Sequence, residues 1–199
     1  YVLANFNGGF RINDTRGGYF YDGEMVKELV DGRASAVVMR DGTMLIGKWP
    51  RDFKNLRDDK GDPAPEVMVV RQNLDLIIDK GISEVSSEND NIVWGATTDK
   101  TSMTWRAALG ERPDGSLVYV IGEYLSATGL ADTLVGAGVE QAMVLDMNQW
   151  WAAAFYFNHK KSGKIKCHAL EPAIQGDCNR FLRDYKRDSF QILSRPQAQ

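Results

Sequence analysis

Gly136-Ala137-Gly138-Val139-Glu140-Gln141-Ala142-Met143-Val144-Leu145-Asp146-Met147-Asn148-Gln149-Trp150-Trp151 sets the layout of this chain. Its glycines read as the end of a helix, and Ala142 to Leu145 as a short apolar strand through the middle of the domain. The strand delivers Asp146 to its C-terminal end, with Asn148 and two tryptophans just beyond. A carboxylate placed directly after a buried apolar run is costly to leave unpaired, so it has a partner or a job. Capping of a turn is the plain alternative.

Before this stretch, Ser126 to Val135 carries apolar residues at helical spacing, with a hydroxyl at its start and Gly136 at its end, and predicts a helix. Further upstream, Trp105 to Leu109 with Arg106 in it reads as a strand. The turn Pro113-Asp114-Gly115 and the β run Leu117 to Ile121 follow it. After the stretch come a strand from Ala152 to Phe157, a basic hairpin from Lys160 to Lys166, a short helix over Asn179 to Tyr185 and a last strand from Ser189 to Leu193.

At the front, Val2 to Phe10 is a strand that breaks into Asn7-Gly8-Gly9-Phe10, where two glycines permit positive φ or a close backbone approach. Ser35 to Met39 and Met44 to Gly47 are joined by Asp41-Gly42 as a hairpin. Lys48 to Pro65 reads as an exposed, charged flap, and Val67 to Val70 leads into Arg71-Gln72-Asn73-Leu74. Many strands, few helices and no regular βα alternation predict an α+β fold: one domain over residues 1–199, a mixed or antiparallel sheet with a few helices packed on it.

Composition frames the function classes. The chain has 199 residues, 43% apolar and 26% charged, with a net charge of −3, as expected of a soluble globular protein with a sizeable core. No basic stripe interleaves with aromatics, which speaks against a nucleic-acid partner. No apolar run reaches the length of a membrane span. The chain opens at Tyr1-Val2-Leu3 without methionine and inside a strand-like run, so an upstream portion is expected to precede it. Cys167 and Cys178 fit either one disulfide, worth up to about 3 kcal/mol, or two independent thiols. With two histidines, a Cys/His zinc site has no supporting spacing.

Four pieces in order resemble the phosphodiester glycosidase family. Ala4-Asn5-Phe6-Asn7-Gly8-Gly9-Phe10 is similar to its Asn-(Ala/Gly)-Gly-Phe opening, and Arg106-Ala107-Ala108-Leu109-Gly110 to its Arg-Thr-Ala-Ile-Gly strand. The helix around Gly129 to Leu134 and the element ending Leu145-Asp146 complete the set, and Val70 to Leu74 with Gly138 to Asn148 and an aromatic strand looks most like bacterial, actinobacterial-type members. One departure stands out: the family continues Leu-Asp-Gly-Gly-Gly-Ser, whereas here Met147-Asn148-Gln149-Trp150-Trp151 follows. The resemblance implies an exported hydrolase, secreted or in the cell envelope, cleaving glycosyl phosphodiester or related linkages in envelope glycans or exopolysaccharides.

That chemistry asks for a carboxylate at an oxocarbenium-like transition state and a cation for the phosphate. Asp146 is the expected base, nucleophile or cation stabiliser, Arg106 the phosphate ligand and Glu123 the second carboxylate. Asn7 and Gly8 are expected to hold sugar hydroxyls, with Arg71, Asn148 and Trp150 completing the substrate contacts. For Arg71 a structural ion pair, for Glu123 a solvated loop and for Trp150 and Trp151 simple packing remain open. No cofactor is expected beyond a possible Ca²⁺ or Mg²⁺, which Asp146 and Asn148 with a backbone carbonyl would suit, though two side-chain oxygens are too few to claim a site. Two other readings stay in play: a non-catalytic carbohydrate-binding protein of the envelope, and a glycosidase with no phosphate in its substrate.

Overall fold

The structure, a computed structural model, describes residues 1–86, 93–95, 102–185 and 187–195. Its strands form three sheets, and every strand pairing is antiparallel. The first sheet holds β1 (Val2–Asn7), β12 (Ala154–His159), β13 (Ile165–Ala169) and β14 (Ser189–Leu193) in the order β13-β12-β1-β14. The second holds β2 (Tyr19–Tyr21), β3 (Glu24–Lys27), β4 (Ala34–Met39), β5 (Met44–Lys48) and β6 (Val67–Gln72) in the order β3-β2-β6-β4-β5. The third holds β7 (Leu76–Asp79), β8 (Ile82–Ser83), β9 (Thr104–Glu111), β10 (Leu117–Leu125) and β11 (Gln141–Met147) in the order β10-β9-β11-β7-β8.

The expected α+β class is therefore corrected to an essentially all-β fold. Among the described residues one α-helix stands, α1 (Ala127–Gly136), at the place the sequence predicts. Ser126 caps it, its hydroxyl accepting from Gly129 N–H at 3.0 Å. The helix expected over Asn179 to Tyr185 does not form; that segment is a run of turns. Its apolar residues are held individually, Phe181 against Phe155 and Tyr185, so local helical spacing there serves irregular packing. Sequence reading also misses β3, which pairs with β2 through Asp22-Gly23, both at positive φ, as a tight two-residue hairpin requires. The flap from Lys48 to Pro65 keeps its charges outside but buries Trp49 and Phe53 against Phe20, Val37 and Val70.

β11 is the middle strand of the third sheet, and alternation gives its two faces different neighbours. Met143 and Leu145 join a core with Phe6 and Phe155 of the first sheet and Ala36 and Ile46 of the second. Ala142 and Val144 pack under Leu130 and Leu134 of α1. Burial on both faces explains why this strand reads as continuous apolar sequence rather than as alternation. At the strand's far end, Asp146 meets Gly8 after β1, Arg187 just before β14 and Arg71 of β6.

Candidate functional site

The register between β11 and β9 slips after Val144, so that Met147, not Asp146, pairs with Arg106. Such a bulge re-aims a side chain. Asp146 N–H leaves the β9 ladder and donates to the Gly8 carbonyl at 2.9 Å, tying the end of β11 to the end of β1. The Asp146 side chain is 7% exposed; one oxygen accepts from Met147 N–H at 2.9 Å and the other from Arg187 Nη1 at 2.7 Å. Burial outweighs these stabilising contacts and pushes the carboxyl up to about 6, with Asp188 adding to the rise and Arg187 and Arg71 opposing it.

Arg187 lies with its guanidinium carbon 4.1 Å from the Trp151 ring centre, a close cation–π contact. The next residue, Asp188, bonds Arg71 twice, at 2.7 Å to Nε and 3.2 Å to Nη2. Arg71, 1% exposed, also donates to the Gln72 and Phe10 carbonyls. Tyr19 faces this guanidinium at 5.8 Å, and burial raises its phenol. Gly8 serves close approach and not positive φ: a Cβ there would stand 2.2 Å from Asp188 Oδ2. Its N–H donates to the Asp188 carbonyl at 3.0 Å. The result is a compact set of two carboxylates and two guanidinia, reached from solvent through Arg187 and Asp188, 12% and 29% exposed.

The other expected residues are distributed differently. Arg106 is fully buried and donates to the carbonyls of Leu125, Trp94 and Ser102, at 3.0, 3.0 and 3.3 Å. Those contacts aim its guanidinium at backbone carbonyls of the protein. Glu123 lies in β10, which runs four residues past the expected end at Ile121, and is exposed. Asn7 is buried; its Oδ1 accepts from Tyr119 Oη at 2.7 Å and Ala153 N–H at 3.1 Å, and its Nδ2 donates to the Gly8 carbonyl at 3.0 Å. It shapes the glycine turn from behind. Asn148 takes positive φ and accepts from Trp150 N–H at 2.9 Å, building the tight turn that follows β11. Trp150 is 55% exposed beside the site, and Trp151 supports Arg187.

The oxygens of Asp146 and Asn148 considered for a cation all accept from protein donors. Cys167 and Cys178 are joined as a disulfide. Three cavities of about 200, 210 and 480 Å³ lie elsewhere, none lined by Asp146.

Neither a family model nor any curated protein matches the sequence. Solved structures do match. The zebrafish N-acetylglucosamine-1-phosphodiester alpha-N-acetylglucosaminidase (NAGPA) catalytic domain, auto-inhibited by its pro-peptide, superposes with a TM-score of 0.54 at 18% identity, over 85% of this chain. The two share a fold. A hypothetical protein from Synechocystis superposes at 0.45 with 11% identity, over 83% of this chain. This chain spans 56% and 48% of those two chains, so each extends well beyond what is described here. The relationship to the zebrafish catalytic domain is structural and distant.

Arg187, Asp188 and the supporting role of Trp151 are the residues that sequence reading misses. Their only sequence signal is a charged pair directly before the last strand, Arg187-Asp188-Ser189. It acquires meaning once β14 is known to pair with β1, setting Ser189 opposite Asn7.

Proposed function

We propose that this protein is a hydrolase acting on glycosyl linkages whose leaving group is anionic, as in a glycosyl phosphodiester. One observation carries the reading: a buried carboxyl held near pH 6, capped by a partly exposed, ring-stacked arginine. The shared fold with a phosphodiester glucosaminidase supports it.

Above about pH 6 Asp146 is ionised and positioned as a base. It takes a proton from water as the water oxygen bonds to the anomeric carbon. The bond from that carbon to the phosphate oxygen breaks, and its electron pair leaves on the phosphate. Arg187 exchanges Asp146 for the phosphate oxygens, which match its planar fork. Asp188 keeps Arg71 in place and stands as the second carboxylate in the role sequence reading gave Glu123. Trp150 offers an exposed ring to a sugar face. Membership of the phosphodiester glycosidase family, and one domain over residues 1–199, are part of this reading. So is export to an oxidising compartment, which the disulfide supports.

The test is sugar release from α-linked sugar-1-phosphate diesters and matched plain glycosides by wild type and Asp146→Asn. Cleavage of the diesters alone, lost in the variant, is the expected result. Cleavage of plain glycosides alone removes the phosphate from the reading. Saturable glycan binding with no turnover converts the site into a carbohydrate-binding cleft and overturns the hydrolase.

A further inference from the structure

Arg180 is buried, 7% exposed, on the irregular strap that carries Arg187 and Asp188. Its Nη1 donates to the Gln175 carbonyl at 3.0 Å, its Nε to Tyr185 Oη at 3.0 Å, and its Nη2 to Tyr185 Oη and the Trp150 carbonyl. The Tyr185 and Phe181 rings flank it at 5.0 and 5.4 Å. These described partners are two carbonyls and a phenol. Burying a cation among neutral oxygens carries a desolvation cost that a carboxylate partner would offset better. What the fork accomplishes is geometric: it joins the strap to the turn after β11.

That turn is held from inside by Asn148. Its side chain accepts from Trp150 N–H, and its carbonyl accepts from Trp151 N–H and Ala152 N–H, each at 3.1 Å. The outward Trp150 carbonyl is taken by Arg180. The neighbouring residue is Trp151, whose ring carries Arg187, whose Nη1 in turn holds Asp146 at 2.7 Å. A continuous chain of contacts thus leads from Arg180 to the site without Arg180 touching it.

We propose that Arg180 is a positioning residue that keeps Arg187 on Asp146 by fixing the Trp150-Trp151 turn against the strap. The inference rests on the Asp146–Arg187 site and not on what that site hydrolyses. The charged groups facing Asp146 are Arg187 and Asp188 from the strap and Arg71 from β6. When the turn loosens, Arg187 loses its ring support. Asp146 then keeps the burial that raises it and loses the nearest cation that lowers it.

The experiment follows the Asp146 carboxyl carbon by NMR through a pH titration of the full chain, with no substrate present. Arg180→Met, which keeps bulk and loses the fork, is expected to move the Asp146 midpoint upward by about half a unit to one unit, in the direction of Arg187→Met. Arg180→Lys, with charge but a single donor head, is expected to fall between Arg180→Met and wild type. Tyr185→Phe removes one acceptor of the Arg180 fork and is expected to give a milder shift in the same direction. A lowered melting temperature with an unmoved midpoint in Arg180→Met, or in Tyr185→Phe should Arg180→Met not fold, overturns the proposal. Failure of every glycosyl substrate would overturn the functional reading and leave this titration unaffected.

Discussion

Asp79 and Asp146 sit at opposite ends of β11, the first beside Gln141 where the strand starts and the second where it finishes. Each meets an arginine at hydrogen-bond distance, 2.6 Å to Arg51 and 2.7 Å to Arg187. Accessible surface barely separates the two side chains, at 10% and 7%. Yet Asp79 is lowered to about 2 and Asp146 is raised to about 6. The difference is company and depth. Asp79 receives both Arg51 Nη groups, Lys48 at 3.4 Å and the Gln141 amide at 3.3 Å. Asp146 receives one guanidinium nitrogen and one backbone N–H, has Asp188 nearby, and feels burial as its largest influence. An ion pair alone says little about what a carboxylate can do; the surroundings of the pair decide whether it is a clamp or a base.

The sharpest way to break this comparison is to make the same change at both ends. Asp146→Asn is expected to lower kcat/KM about 10²- to 10⁴-fold, the span for removing a positioned general base, while the protein stays folded. Asp79→Asn is expected to leave turnover within about twofold and lower stability by about 1–2 kcal/mol, since Arg51 retains Asp52. Steady-state rates and urea unfolding of both variants check the pair. Equal losses of activity would remove the distinction between clamp and base.

Arg187 provides the next test. Arg187→Met deletes the cation that opposes burial, so Asp146 is expected to ionise at a higher pH than about 6. The acid limb of kcat/KM then moves up by about a unit, with a rate loss of about 10²-fold at neutral pH if the arginine meets a phosphate in the transition state. Arg106→Met is expected to behave otherwise. It leaves three carbonyls short of a donor and lowers stability by about 3 kcal/mol or more, with the acid limb unmoved. A pH profile that moves in Arg106→Met and holds in Arg187→Met would exchange their roles.

Stability against pH separates the two aspartates without any substrate. Asp146 binds its proton more tightly folded than unfolded. Its contribution is fully present below about pH 3.8 and is lost as pH rises through about 6, a change of about 3 kcal/mol. Asp79 is the reverse: its contribution is present above about pH 3.8 and is lost as pH falls through about 2. Denaturation midpoints measured from pH 3 to 8 are expected to fall between pH 4 and 6 in wild type and to flatten over that window in Asp146→Asn. No flattening would place the titration on another group.

The ease of reading Asp146 and the difficulty of reading Arg187 have one physical origin. Asp146 follows its own apolar strand, so local pattern announces it. Gly8 is likewise visible, because a double glycine after a strand signals a turn or a close approach, and here a Cβ would meet Asp188. Arg187 and Asp188 owe their place to β14 lying beside β1, a pairing between the two ends of the chain that no local pattern encodes. Arg106 shows the converse limit. An arginine inside a strand looks the same in sequence whether its fork meets a phosphate or three carbonyls. The fold class slipped for a related reason: β2, β3 and β8 are two to four residues long, too short for a periodic signal, and the helical spacing in the tail is absorbed by turns.

The smallest expected effect refines the account of Asp79. Gln141 donates to Asp79 at a long 3.3 Å, while its own Oε1 is buried with no partner among the described residues. Gln141→Leu therefore removes a weak bond and an unsatisfied acceptor together, two effects of opposite sign and of about 1 kcal/mol each. Stability is expected to stay within about 0.5 kcal/mol of wild type, and Asp79 to remain well below the usual carboxylate range because Arg51 is the largest influence on it. A carboxyl NMR titration of Asp79 with parallel urea unfolding reads both quantities. If Asp79 returned to the ordinary range, the amide and not the arginine would be the clamp, and the contrast with Asp146 would rest on a neutral donor rather than on the number of cations.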